Sequence, residues 1–252
     1  MANATMGAEP EGRGGLGTVR NAVRLLELLG EGPAYQQLSD LAERSGMSLP
    51  TVHRLLRSLV LADLAVQDPQ SSRYGLGPEL TRLAGHYLAR LPLLGALGPY
   101  LSPLHEELST TLYVMTLVHG EVVYIDRVDG PSAGPYRDTH RVHPALSTAG
   151  GRLLAARADD LAWQQAMSLT DELDQAEAAR SRSDWASAPW LAVAPLDPTL
   201  NTEVAVPVID GRGNAVAALS AAVPDPDAAE NKAVAASLSR AARAAGRTLS
   251  HV

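Results

Sequence analysis

The stretch SGMSLPTVHRLLRSL, residues 45–59, limits what this chain can fold into more than any other. Val52, Leu55, Leu56 and Leu59 recur at i, i+3, i+4 and i+7, the spacing of a helix with one apolar stripe. Its other face carries Thr51, His53, Arg54, Arg57 and Ser58. Ser48 is placed to cap this helix, and Pro50 is tolerated in a first turn. Just before it, QLSDLAERSG predicts a short helix that turns Leu38, Leu41 and Ala42 inward and stops at Gly46. Two helices joined by a tight glycine turn, the second with a polar outer face, follow the helix-turn-helix plan. Ahead of them, TVRNAVRLLELLG (18–30) predicts a bracing helix through Ala22, Leu25, Leu26 and Leu29. Behind them, LAVQDPQSSRYGLG reads as two short strands around a turn, a candidate wing that presents Ser71, Ser72 and Arg73.

This order of elements predicts contact with double-stranded DNA. The first helix of such a pair supports the second, whose N-terminal amides and short polar side chains meet phosphates and base edges in the major groove. Ser48 and Thr51 are short enough for close approach, while His53, Arg54 and Arg57 reach further, and Arg is the usual reader of guanine. Arg20, Ser39 and Arg73 complete the candidate contact set. Charge is distributed accordingly. The whole chain is acidic at -7, yet residues 13–90 hold nine arginines against seven acidic residues. An acidic total argues against a protein that merely coats nucleic acid.

At 252 residues there is room for two modest domains, each with a core. Cysteine is absent, which excludes disulfides and thiolate metal sites. No apolar run reaches a membrane span, and the opening MANATMGAEPEGRGG has no secretory pattern, so a cytoplasmic protein is expected. The chain divides into a tail (1–15), a winged helix-turn-helix domain (16–78), a linker helix (79–95) and a second domain (96–252), bounded near Pro92, Gly95, Gly98 and Pro99. In the second domain, 99–109, 148–158 and about 159–180 read as helices. TLYVMTLV and EVVYIDRV form one hairpin around His119-Gly120, EVAVPVID and NAVAALSAAV another, and a small-residue helix closes the chain near Leu249. Strand pairs with flanking helices predict an α+β class.

The N-terminal pattern of a small-residue turn, a polar helix start and then His-Arg-Leu-Leu resembles the IclR family of regulators. So do RYGLGPELTRLA after the wing, PYRDTHRVHPALSTAGGRLLAA, and EVAVPVIDGRGNAVAALSAAVP. The resemblance runs from about residue 18 to the end and is more specific in the first domain. It implies a GAF-like effector domain, a homodimer or homotetramer, a small-molecule effector, no cofactor, and repression or activation of transcription. It also implies a pocket lined by Tyr136, Ala149, Gly150, Asn201, Glu203 and Ser220. Ser147 and Thr148 would stand before amides able to hold an anion. Two departures stand out. SDWASAPWLAVAPLDPTLNTE has no clean counterpart in the family. Glu203 stands where the family often has a small residue; there it would repel an acidic effector unless the effector brings an amine or hydroxyls, or Glu203 points elsewhere.

Other patterns are weaker. GRGGLG at 12–17 fits G-x-G-x-x-G but follows no strand. GPSAG around Ser132 fits G-x-S-x-G without the strand and helix that a nucleophile elbow needs. His140 and His143 near Asp138 are the candidates for a metal, and Glu121, Asp126 and Asp129 for paired carboxylates, without privileged spacing. The alternatives to an effector-controlled regulator are therefore a hydrolase using Ser132, a metal-dependent enzyme using His140 and His143, and an effector-blind DNA-binding protein.

Overall fold

In the computed structural model, residues 13–131, 142–194, 201–224 and 227–250 are described. They fall into two compact units divided between Ala89 and Arg90.

The first unit contains helices α1 (Arg13–Glu31), α2 (Leu38–Ser45) and α3 (Leu49–Leu61), strands β1 (Ala65–Gln67) and β2 (Tyr74–Leu76), and helix α4 (Glu79–Leu88). Helix α1 starts at Arg13, earlier than the periodicity suggests, and takes in most of GRGGLG. Leu25, Leu28 and Leu29 of α1, Leu41 and Ala42 of α2, and Val52, Leu55, Leu56 and Leu59 of α3 form one core with Ala65 and Tyr74 of the hairpin. Gly46 ends α2 in the left-handed region (φ 69°), which reverses the chain into α3 at no steric cost. A Cβ at Gly77 would overlap the Asp63 carbonyl, so only glycine lets the chain leave β2 there.

Gln36 ties this unit together. Its backbone exchanges two 2.8 Å hydrogen bonds with Tyr74, which adds one residue to the hairpin edge. Its buried amide donates to the carbonyls of Leu28 (2.8 Å) and Leu29 (3.2 Å), two of the acceptors that the end of α1 leaves without helical partners. Arg44 of α2 donates to its Oε1 at 2.7 Å and pairs with Glu31 at 3.0 Å.

Helix α4 stops at Leu88, short of the residue 95 expected. Leu91 precedes Pro92 and is held extended (ψ 112°), and the proline opens the next helix. That helix, α5 (Pro92–Leu108), begins the second unit, well before the expected residue 99, and keeps Pro99 and Pro103 inside it. Both prolines lie on its exposed side, where water can satisfy the carbonyls they leave unpaired.

The second unit is a six-stranded antiparallel sheet between helices, an α+β arrangement. The strands are β3 (Thr111–Val118), β4 (Glu121–Val128), β5 (Val142–Pro144), β6 (Leu191–Val193), β7 (Thr202–Ile209) and β8 (Ala215–Val223), in the order β5-β4-β3-β8-β7-β6. The short edge strands β5 and β6 carry too little periodicity to be read from sequence. The helices are α6 (Ala149–Arg157), α7 (Asp160–Ser168), α8 (Glu172–Ser187) and α9 (Ala228–Leu249). The single helix expected at about 159–180 is thus two, α7 and α8. His119 (φ 50°) and Gly120 (φ 85°) turn the first hairpin with two left-handed residues.

Alternation divides the sheet. Leu112, Val114, Val204, Val206, Val208, Leu219 and Val223 pack on α5 and α9. Across that layer, Glu107 of α5 accepts from Ser237 (2.6 Å) and Arg240 (2.7 Å) of α9. On the opposite face, Met115, Val122 and Ala218 pack under α6, with Trp163 of α7 and Trp185 of α8 in the same core. Replacing Leu56, fully buried at the centre of the first unit, by Ala is expected to cost about 2–5 kcal/mol. Denaturant titration of the full chain, followed by far-ultraviolet circular dichroism, checks this; an unchanged unfolding curve contradicts the core assignment.

Candidate nucleic-acid interface and effector face

The polar face of α3 is built from its own period. With Val52, Leu55, Leu56 and Leu59 buried, His53, Arg54, Arg57 and Ser58 are exposed and Thr51 is half-buried. Among the described residues, nothing pairs with the guanidinium of Arg54 or Arg57 or with the His53 ring. Ser48 occupies the N-cap, but its hydroxyl meets the Thr51 hydroxyl at 2.8 Å and caps no amide; its carbonyl instead accepts from the Thr51 (2.9 Å) and Val52 (3.0 Å) amides. The expectation of a capping side chain is corrected there: two small hydroxyls share the helix start, where Pro50 has no N–H and the Thr51 and Val52 amides are already taken. Arg20 of α1 and Ser39 of α2 are also exposed; Ser39 bonds Asp40 at 3.1 Å.

The wing turn is ordered by Asp68. Its carboxylate accepts from the Ser71 hydroxyl, the Ser71 amide (2.9 Å) and the Gln70 amide (3.4 Å), and these bonds hold its pKa below the ordinary aspartate value. Ser72 adopts a left-handed φ of 58° and Arg73 is exposed at the hairpin base. The described residues therefore present α3, Arg20, Ser39 and Arg73 as solvent-facing groups of one unit.

In the second unit, register sets the α6 side of the sheet in rows. Arg127, Tyr113, Ser220, Ala205 and Leu191 stand side by side across five strands. The next row holds Thr111, Ala222, Glu203 and Val193. Glu203 is joined to α6: its carboxylate accepts from the Ala149 amide at 2.8 Å and the Gly150 amide at 3.4 Å. Glu203 keeps some accessible surface, yet its carboxylate is enclosed enough for desolvation to raise its pKa above the ordinary value. The two amides, the Ser220 hydroxyl and the charge of Arg152 pull in the opposite direction. The Ser220 hydroxyl is fully buried and lacks a hydrogen bond of good geometry, so its effect on Glu203 is one of proximity.

The residues that the resemblance put in a pocket thus separate. Ala149, Gly150, Glu203 and Ser220 come together. Thr148 is the N-cap of α6 and accepts from the Gly151 amide at 2.9 Å. Gly150 lies against Met115 and Ala218, where a Cβ would overlap the methionine sulfur; its role there is close packing. Ser147 is exposed and donates to the Pro144 carbonyl at 2.7 Å, and Asn201 is exposed just ahead of β7. Tyr136, Ser132, His140 and Asp138 lie outside the described residues. His143 sits in β5, opposite Val122, with its ring 5.7 Å from Tyr124.

The pattern-based reading missed Tyr113 and Arg127. The Arg127 guanidinium lies 5.5 Å from the Tyr113 ring centroid and pairs with Asp129 at 2.5 Å, and Tyr113 meets Tyr124 edge-on at 5.0 Å. Strand alternation on TLYVMTLV and EVVYIDRV could have found them. A bulge between Val114 and Met115, however, shifts the register so that Tyr124 and Arg127 share a face three residues apart.

Comparison with known proteins bears on both units. A model of the IclR helix-turn-helix domain matches residues 18–69. The HTH-type transcriptional regulator KdgR of Escherichia coli is 26% identical over 239 residues, which cover 89% of this chain and 87% of KdgR. The regulator XynR of the same organism is 27% identical over 140 residues; the match covers 55% of this chain and spans about half of XynR, 56%. Among solved structures, an IclR homolog complexed with 4-hydroxybenzoate from Microbacterium hydrocarbonoxydans superposes with a TM-score of 0.68 at 22% identity, over 93% of this chain and 100% of that one. The chain is thus similar to the IclR helix-turn-helix domain over residues 18–69, to KdgR along most of both sequences, and to a solved IclR homolog in fold.

Proposed function

We propose that the protein is a sequence-specific, DNA-binding transcriptional regulator whose operator affinity is set by a small molecule held on the α6 face of its second unit. The observation that carries this reading is the division of α3. One side is sealed into the core of the first unit, and the other offers Arg54, Arg57 and His53, unpaired among the described residues, beside the Ser48 and Thr51 hydroxyls. In a major groove the Ser48 and Thr51 hydroxyls take phosphate or base-edge contacts, and the two arginines reach guanine. Arg73 of the wing and Arg20 of α1 add backbone contacts that position the duplex without reading it.

The protein acts as a homodimer. No residue of α4 is buried, and Leu83 and Tyr87, one helical turn apart, are exposed. Val19 and Val23 repeat this on α1. A second copy supplies the cover, and the pair reads two half-sites about 34 Å apart or a multiple of that distance. No described helix is long and apolar enough to cross a membrane, which agrees with a protein that works on DNA.

The effector sits over the rows that contain Tyr113, Arg127, Ser220 and Glu203. The 4-hydroxybenzoate held by the Microbacterium homolog supports a ligand role for this fold. Such a ligand changes operator affinity only as far as it binds the DNA-competent and incompetent states differently.

Arg54→Ala and Arg57→Ala are each expected to weaken operator binding by about 1–3 kcal/mol where a base is read, measured by fluorescence anisotropy at fixed salt on a fragment selected from the genome by the purified protein. Affinity unchanged in both variants would remove the assignment of α3. Tyr87→Glu together with Leu83→Glu is expected to yield a monomer by sedimentation velocity, with α-helical content retained. A pair of variants that stays dimeric refutes the α4 interface.

A further inference from the structure

The first turn of α6 carries three amides that no residue of the helix itself can satisfy, those of Ala149, Gly150 and Gly151. All three are used from within the chain. Thr148 takes Gly151, and Glu203, reaching across from β7, takes Ala149 and Gly150 with its two carboxylate oxygens. A helix N-terminus favours a negative group, and here the group is part of the protein. Around it stand small residues, Ala205, Ser220 and Ala222, and Glu203 as a whole is half-buried.

We propose that Glu203 is a built-in occupant of this anion position and so determines which effectors the face admits. The inference rests on the reading of that face as the effector site. With Glu203 in place, an effector cannot bring its own carboxylate to α6. The position is filled whatever the protonation of Glu203, and a second carboxylate beside an ionised one is repelled. The Glu203 oxygens offer about four acceptor sites. Two go to amides and the Ser220 hydroxyl lies beside the carboxylate, so at most about two remain for a ligand. A ligand meets Glu203 by donating, through a hydroxyl or an ammonium. The admitted class is a polyol, an amine or a similar donor, and acids that depend on α6 for their carboxylate are excluded.

Glu203→Ala empties the position without refilling it. In this variant acetate, benzoate or formate can take the two amides. Its thermal midpoint is expected to rise by roughly 2–4 °C at carboxylate concentrations a few times the dissociation constant, against chloride at equal ionic strength and pH. The wild-type chain and Glu203→Gln, whose amide oxygen still fills the position, are expected to show no such rise. An alanine variant indifferent to all three carboxylates, or a wild-type chain stabilised by them equally, overturns the proposal. Should the alanine variant fold too poorly to melt, the wild-type protein still decides. Acetate titrated into it should leave the amide resonances of Ala149 and Gly150 in place, and movement of both would overturn the proposal. These readouts need no DNA. A wild-type chain that binds no genomic fragment would defeat the regulator reading while leaving the occupancy of α6 intact.

Discussion

Strand β8 lies between β3 and β7, and from Ala217 to Ala221 every residue is buried, so that stretch has no solvent side on which to place a bulky residue. Ala217, Leu219, Ala221 and Val223 point toward α5 and α9, while Ala218 and Ser220 point toward α6. The alanine-rich run AVAALSAAV is the consequence. A strand this narrow lets α6 come close enough for Gly150 to rest on Ala218 and Met115, and for its first amides to come within reach of β7. Larger residues on β8 would lift the helix and strand Glu203 without partners, at the desolvation penalty of a buried, unsatisfied carboxylate. The narrowness of β8 and the chemistry at Glu203 are thus one constraint seen from two sides.

The first unit solves a different problem. Three short helices bury little surface, so each must be held by a few well-placed contacts. The apolar stripe of α3 is fully committed to the core, and among the described residues its outer face carries no ion pair. In this arrangement burial of one face positions the arginines of the other, which on the proposed function a duplex would satisfy. Internal salt bridges there would compete with phosphate and base contacts.

Much of this was legible in the residues. The periods of α1, α2, α3 and α9, the wing and both hairpins follow from spacing and turn chemistry. Other parts were obscured by physical circumstances specific to them. Pro99 and Pro103 mask α5 because an internal proline normally ends a helix, and the exposed side that tolerates them is a tertiary fact. Strands β5 and β6 are three residues long and owe their existence to longer neighbours. Arg127 and Tyr124 fall on one face only because of the bulge opposite Met115. Glu203 is legible as an anomaly, a carboxylate within an apolar strand. The amides that accommodate it lie more than fifty residues earlier, at a helix start that no local pattern connects to it.

Gln36 carries a consequence for motion. One carboxamide joins the last turn of α1 to Arg44 of α2, while the backbone of the same residue grips the wing at Tyr74. Bonds this short and shielded leave no slack between the three parts. A push on α1 must therefore swing the reading helix and the hairpin tip in unison, as a lever with one pivot. On the proposed function, a signal that reaches this unit would change its aim more readily than the spacing of its exposed polar groups.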